Sequence, residues 1–138
     1  MEGKIAQITL VVTNQARSLD FFTEKAGFEK KIDVSLPGGG RWVSVGLRGQ
    51  DLEIALWEVG STVDPSQKQA AAHWSPATAP PIVLRVAECR AAYQELTARG
   101  VAFLRAPMEY PWGTLATFQD PDGNLFTISQ PPGGGAKE

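Results

Sequence analysis

Residues 7–12 read Gln-Ile-Thr-Leu-Val-Val, and residues 81–86 read Pro-Ile-Val-Leu-Arg-Val. In both stretches apolar side chains recur at every second position, which is typical of a β-strand with one buried face. The stretches start 74 residues apart, and the same offset pairs Gly49 with Gly123 and Ile54 with Ile128. Matches near both ends of this interval indicate an internal repeat.

The first half of the chain predicts a strand, a helix and three further strands. Asn14 can cap the helix and Gly27 can end it, because asparagine accepts from free backbone N–H groups and glycine tolerates the left-handed conformation. The strands are predicted at residues 5–12, 28–34, 41–47 and 52–57.

The second half repeats this order. A helix passes through Arg90 and Arg99 and ends at Gly100. Gly27 and Gly100 lie 73 residues apart, so one residue of slippage lies inside the module. The strands are predicted at residues 82–86, 101–105, 114–118 and 124–129.

The repeat predicts a single α+β domain over residues 1–138. Two βαβββ modules, at about residues 5–57 and 81–130, are expected to form a curved mixed sheet with a concave cup. Residues 58–80 would be a connecting loop, either a lid or a linker, and residues 131–138 a flexible tail.

The composition excludes several classes of partner. A net charge of -2, a pI near 5.4 and no basic cluster exclude nucleic acid, and the first apolar run is too short to span a membrane. Cys89 is the only cysteine, which excludes an internal disulfide and a thiolate zinc site and favours a structural thiol. We expect an unprocessed cytoplasmic protein.

Strand alternation divides the side chains between two faces of the predicted sheet. Apolar residues such as Ile8, Leu10, Ile54 and Ile128 would pack on the helices. The other face mixes aromatic, aliphatic and polar groups, a mixture typical of a small-molecule site. Its members are Gln7, Thr9, Glu53, Ala55, Trp57, Val83, Arg85, Thr127 and Ser129.

The chain also carries an ordered set of short segments between residues 5 and 130. They are Gln7-Ile-Thr-Leu-Val-Val, Leu19-Asp-Phe-Phe, Leu52-Glu-Ile, Tyr93-Gln-Glu-Leu, Pro111-Trp-Gly and Asp120-Pro-Asp-Gly-Asn. In a duplicated βαβββ frame this set resembles the vicinal oxygen chelate superfamily, which includes glyoxalases, bleomycin-resistance proteins and extradiol dioxygenases. The resemblance implies paired modules around a cup that, in the enzymes, holds one divalent metal ion.

The resemblance places the metal ligands at Gln7, Glu53, Pro81 and Thr127. Only Glu53 is a usual ligand, since proline has no side-chain donor and the neutral oxygens of threonine and glutamine bind weakly. We therefore expect no metal cofactor and no catalytic residue. Without a metal, the chain resembles the members of the family that sequester drugs, typified by the bleomycin-resistance proteins. This resemblance predicts that the chain binds a small organic molecule, and antibiotics are among the candidates.

The predicted ligand-binding residues come from both modules. They are Gln7, Thr9, Glu53, Trp57, Arg85, Trp112 and Thr127. Glu53 could pair with Arg85 or bind a cationic group of the ligand. In the resembled family the Pro-Trp-Gly segment that holds Trp112 lies at the mouth of the site, and at least two tryptophans are expected to line the cavity.

Two alternatives to simple binding stay open. The chain could be a metal-dependent lyase, isomerase or dioxygenase with an altered ligand set, for example Glu53 with His73 and water. It could also be a pseudoenzyme or interaction module whose cup is filled by its own side chains. In any of these cases we expect a homodimer, because symmetric pairing commonly covers exposed strand edges.

Overall fold

A computed structural model describes residues 1–59 and 79–133 of the chain. Its contacts divide the chain into two compact units, Met1–Ser75 and Pro76–Glu138, which are called the first and second modules below. No described helix has the length and apolar character needed to cross a bilayer.

The first module contains one helix and a four-stranded mixed sheet. The first strand of this sheet pairs in parallel with the fourth, and across the sheet the strands follow the order first, fourth, third, second. Asn14 caps the helix as predicted, since its Oδ1 accepts from the N–H of Arg17 at 2.9 Å. The elements are β1 (Gln7–Val12), α1 (Gln15–Asp20), a π-helical turn (Phe21–Lys25), β2 (Glu29–Ser35), β3 (Arg41–Gly46) and β4 (Glu53–Glu58).

The second module repeats this arrangement: its first strand pairs in parallel with its fourth, and the strands again follow the order first, fourth, third, second. The predicted α+β class and the repeated βαβββ order are therefore confirmed. Hydrogen bonds group the strands into two four-stranded sheets, one in each module. The elements are β5 (Ile82–Arg85), α2 (Cys89–Ala98), β6 (Phe103–Tyr110), β7 (Gly113–Gln119) and β8 (Leu125–Gln130).

The π-helical turn explains the single residue of slippage between the modules. The N–H of Val101 donates to the carbonyl of Leu96, whereas in the first module the N–H of Phe28 donates to the carbonyl of Phe22 at 2.8 Å. The second of these bonds spans one residue more. A π turn inserts one residue into an α-helix, so the first helix widens where the two repeats differ in length.

The helix-facing side of each sheet forms a core of aromatic and aliphatic side chains. In the first module Val12, Phe22 and Val45 are fully buried. In the second, Phe118 stacks on Phe126 with ring centroids 5.3 Å apart, and both are fully buried. Burial of each such side chain stabilises the fold by roughly 1.5–3 kcal/mol. Val12 and Phe126, both predicted to face the helices, are among these buried residues.

Candidate functional site

The face of the second sheet that points away from α2 carries the candidate site, and β6 shapes it. β6 is an edge strand with irregular pairing between Phe103 and Arg105 and again between Arg105 and Met108. Each irregularity places one extra residue on β6, and such bulges shift the alternation of side chains. Phe103 thus stays on the helix side opposite Phe118, whereas Arg105 and Met108 both lie on the other face.

The predicted strand at residues 101–105 is therefore corrected in both position and length. β6 starts at Phe103 and continues through Pro107 to Tyr110. Proline is tolerated there because edge strands and bulges leave backbone N–H groups without a ladder partner. The extension adds Met108 and Tyr110 to the face that carries Thr127.

A cavity of about 320 Å³ opens on this face of the second sheet. Its volume falls at the lower end of the range for small-molecule pockets, roughly 300–1,000 Å³. Strands β6, β7 and β8 and the hairpin loop that joins β6 to β7 supply the lining residues. They are Arg105, Ala106, Met108, Tyr110, Trp112, Leu115, Thr117 and Thr127.

One side of the cavity is a wall of soft, polarisable side chains. The rings of Tyr110 and Trp112 stack with centroids 5.1 Å apart and an angle of 9° between their planes. The hydroxyl of Tyr110 donates to Met108 Sδ at 3.8 Å, which connects the stack to the thioether. Trp112 is 64% exposed and Met108 54% exposed, so this wall presents a large apolar surface to solvent.

Polar groups occupy the floor of the cavity, on the strands behind the wall. Arg105, Thr117 and Thr127 lie side by side on β6, β7 and β8 according to the strand registers. Thr117 Oγ1 and Thr127 Oγ1 are 2.9 Å apart and share a hydrogen bond. The floor therefore offers one guanidinium and two hydroxyl groups.

Gly113 fixes the hairpin loop that presents Trp112. Its φ of +144° is one that side-chain-bearing residues rarely adopt, and a Cβ at this position would collide with the carbonyl oxygen of Gln130. Tyr110 pairs with Gly113 across the two-residue loop formed by Pro111 and Trp112. The Pro-Trp-Gly segment singled out in the sequence is thus a tight turn at one end of the cavity.

The first module carries four predicted site residues on the face of its sheet that points away from α1. Gln7 and Glu53 are register partners, and Thr9 follows on the same side of β1. Ser44 Oγ donates to Glu53 Oε1 at 2.7 Å. Trp57 is 4% exposed, and its indole N–H has no acceptor among the described residues. The contribution of these residues to ligand binding stays a prediction, as does the pairing of Glu53 with Arg85.

Two titratable side chains in the second module, Cys89 and Asp120, are buried and stabilise the fold. Cys89 is fully buried, its Sγ lies 3.8 Å from the carbonyl oxygen of Ile128, and burial raises the pKa of its thiol. Asp120 accepts from the N–H groups of Asp122 and Asn124, and burial raises the pKa of its carboxyl despite these bonds. Cys89 therefore fits the predicted structural thiol, and Asp120 closes the predicted β7–β8 turn.

The structure brings two of the predicted site residues together, Trp112 and Thr127, which line the same cavity. Arg85 lies on the same side of the second sheet, two positions along β5 from Val83, but is not among the lining residues. His73 and Trp74 lie outside the described residues. Sequence reasoning missed the other lining residues. The bulges in β6 break the alternation that would have located Arg105 and Met108. Leu115 and Thr117 lie on the regular strand β7, where alternation with the buried Ala116 and Phe118 was the available signal.

Three of the four metal-ligand positions implied by the family, Gln7, Pro81 and Thr127, carry residues that are poor ligands for a divalent ion. Pro81 has no donor, Thr127 Oγ1 is engaged with Thr117, and Glu53 accepts from Ser44. Within the described ranges, no three His, Cys, Asp or Glu side chains are placed to hold a metal ion together. These residues do not fit the divalent ion that the family's enzymes use.

Comparisons with known proteins agree with the fold. The UcmS2 crystal structure is 32% identical, covers 94% of this chain and 98% of its own, and superposes with a TM-score of 0.81. TnmS3, an antibiotic binding protein from Streptomyces sp. CB03234, is 29% identical with a TM-score of 0.72 and covers 94% of this chain and 97% of its own.

A further relative is the uncharacterized protein YurT of Bacillus subtilis (strain 168), which is 35% identical over 130 residues, covering 92% of this chain and 98% of its own. A family profile matches residues 4–128, nearly the whole described fold. The repeated βαβββ modules, the Pro-Trp-Gly turn and this match together show that the chain belongs to the Glyoxalase/Bleomycin resistance protein/Dioxygenase superfamily.

Proposed function

We propose that this protein binds a small aromatic organic molecule without a catalytic metal, and that the cavity of the second module is the binding site. The observation that carries the proposal is the wall formed by Met108, Tyr110 and Trp112 beside a floor of hydroxyl groups. Aromatic and thioether side chains bind planar ring systems through dispersion and stacking, and a few polar groups fix the orientation of the ligand.

The chemistry of the residues supports binding rather than metal-assisted catalysis. The superfamily's metal-dependent reactions need an ion that polarises or activates the substrate. At the corresponding positions of this chain a proline and a hydrogen-bonded threonine replace the usual His and Glu ligands. We therefore propose that the protein has no metal cofactor.

The similarity to TnmS3, an antibiotic binding protein, supports an antibiotic as the ligand, and the stacked rings of Tyr110 and Trp112 favour one that has an aromatic ring system. Sequestration would need only affinity, which an apolar wall and a short polar floor can supply. On this basis we propose that the protein protects a cell by holding such a molecule in a stoichiometric complex. The proposed site consists of the Pro111-Trp112-Gly113 turn and the adjacent strands. Trp112 gives it an exposed aromatic surface.

The proposal is tested by titrating the protein with N-phenyl-1-naphthylamine, a neutral aromatic probe whose fluorescence rises in apolar surroundings. We expect saturable binding at one site, which Trp112→Ala weakens. Arg48→Gln changes an exposed residue of the first module that pairs with Glu29, and serves as the matched surface control. Non-saturable binding, or equal affinity of the Trp112→Ala variant and the parent protein, would overturn the proposed site.

We also propose that the protein is a homodimer in the cytoplasm. Each sheet has two edge strands, and exposed edges favour pairing with a further strand or a second copy. Light scattering checks the oligomeric state, and the mass of one chain over a wide concentration range would contradict a dimer.

A further inference from the structure

One cationic side chain, that of Arg105, lines the cavity of the second module. Arg105 is the one charged residue among the eight that line the cavity. Its side chain forms no ion pair or hydrogen bond with the described residues. Other arginines behave differently, since Arg41 binds Asp33 and Arg90 lies 3.9 Å from Glu109. Arg105 is therefore available to a negatively charged group of a ligand.

The neighbouring hydroxyl groups add a second donor to the same place. Thr117 and Thr127 lie 2.9 Å apart, so one hydroxyl hydrogen is used between them. The hydrogen of the accepting hydroxyl is left for an outside acceptor, because each hydroxyl group has one donor and two acceptor sites. Strand pairing sets Arg105 directly opposite Thr117. A guanidinium and a hydroxyl donor thus meet on adjacent strands at the floor of the cavity.

These positions also separate the polar and apolar halves of the site. Met108 and Trp112 continue along β6 and into the hairpin loop, beyond Arg105, and Leu115 lies opposite Met108 on β7. A ligand that fills the cavity therefore meets a cationic end and an aromatic end. A guanidinium binds carboxylate, sulfonate or phosphate oxygens through paired, charge-assisted hydrogen bonds, whereas it disfavours a cation.

We propose that the ligand class of this site is the aromatic acids: a planar ring system against Met108, Tyr110 and Trp112, with an anionic group at Arg105 and Thr117. This inference rests on the proposed function, because it assigns the charge of the ligand at the same cavity. The shared chemistry is an oxyanion attached to an aromatic body. Carboxylate, sulfonate and phosphate forms all satisfy it.

The test uses two fluorescent probes that differ by one charged group. These are 8-anilinonaphthalene-1-sulfonate and N-phenyl-1-naphthylamine, which has the same rings without the sulfonate. Arg105→Gln is expected to raise the Kd of the sulfonate probe about tenfold, since removal of a charge-assisted hydrogen bond commonly costs at least that factor. The Kd of the neutral probe should change less than about twofold. Added salt should weaken the binding of the sulfonate probe and leave that of the neutral probe unchanged.

Two further variants complete the experiment. Arg90→Gln removes an arginine of the same module that does not line the cavity, and should leave both affinities unchanged. Trp112→Ala should weaken the binding of both probes, because it removes the part of the apolar wall that both probes contact. Near-ultraviolet circular dichroism of the arginine variants shows that their packing is intact before the titration, which guards against binding of the sulfonate probe to loosened protein. Trp112→Ala loses one of the absorbing rings, so its stability is checked by urea denaturation instead.

The outcomes separate this inference from the proposed function. If both probes bind and Trp112→Ala weakens both while Arg105→Gln weakens neither, the aromatic site stands and the anionic ligand class is wrong. If Arg105→Gln weakens both probes equally, Arg105 acts as part of the wall and the inference is again overturned. If neither probe saturates on the parent protein, the proposed function and the inference both fail. Naphthalene-2-carboxylate should displace the sulfonate probe, and 2-naphthamide should do so far less.

Discussion

Thr127 Oγ1 lies 2.9 Å from Thr117 Oγ1, so the residue at the family's last metal-ligand position is hydrogen-bonded to a hydroxyl group on the next strand. The register of β7 with β8 places these two threonines directly opposite each other. Cross-strand hydroxyl pairs of this kind stabilise a sheet modestly. Thr127 is therefore part of the polar floor of the cavity.

We expect the protein purified without chelator to contain no stoichiometric divalent metal. Pro81 and Thr127 supply no competent ligand, and a single carboxylate does not retain an ion against water. Elemental analysis by mass spectrometry measures this directly. One equivalent of zinc, nickel, manganese or iron that survives dialysis and is lost in Glu53→Gln would contradict the expectation.

Trp112→Ala should weaken binding of a neutral aromatic probe about thirtyfold. Truncation of an aromatic anchor commonly costs about 2 kcal/mol, and roughly 1.4 kcal/mol corresponds to a factor of ten. Trp112 is 64% exposed, so the free energy of unfolding should change little. Fluorescence titration and urea denaturation together separate the two effects. A large loss of stability would show that Trp112 is a core residue instead.

Gly113→Ala should destabilise the second module by about 2 kcal/mol or more. This figure combines the cost of a disfavoured backbone conformation with that of a steric clash. The added Cβ would collide with the carbonyl oxygen of Gln130. Gly39→Ala is the matched control, because Gly39 also has a positive φ, +100°, but has no atom within 4 Å of the added Cβ. Equal losses in the two variants, measured by urea denaturation, would argue against the clash.

The sequence predicted the order of the elements and the helix-facing side chains, because alternation and a constant offset depend only on local periodicity. It also predicted one residue of slippage, which the structure places in the π-helical turn Phe21–Lys25. Thr127 was located correctly on the face away from the helix, since β8 is regular.

Much of the binding site could not be predicted in this way. Arg105 and Met108 differ by three positions and would lie on opposite faces of a regular strand, but the bulged β6 places both on one face. Nothing in the periodicity of residues 101–110 marks these bulges. Pro107 was the one available signal, because proline within a strand is confined to edges and bulges.

Cys89 should react very slowly with a thiol reagent while the protein is folded. Its side chain is fully buried, and burial raises the pKa of the thiol, so both access and thiolate content are low. Reaction with 5,5′-dithiobis(2-nitrobenzoate) at pH 8 should become rapid only in denaturant, where one thiol per chain is expected. A rapid stoichiometric reaction of the native protein would show that the helix start opens readily.

Asp33 should make stability depend on pH in the acid range. Its two carboxylate oxygens accept from Arg41 at 2.8 Å each, and this interaction lowers the pKa of Asp33 below its ordinary value of 3.8. A carboxyl whose folded pKa is lowered stabilises the fold above the unfolded pKa, and the contribution is lost as the pH falls through the folded pKa. Asp33→Asn should therefore be less stable than the parent at neutral pH, and the difference should close below that folded value. A difference that stays constant with pH in urea denaturation would contradict this.

The most direct measurement of the central claim is an NMR titration of the protein labelled with ¹⁵N, with N-phenyl-1-naphthylamine as the probe. The account predicts that the largest amide shifts occur on β6 from Arg105 to Tyr110, in the hairpin loop at Trp112, and at Thr117 and Thr127, the residues that form the cavity. Arg90 and Glu95 on α2 should shift little. Shifts confined to the helix-facing side or to the first module, with Trp112 and Thr127 unperturbed, would show that the cavity of the second module is not the binding site.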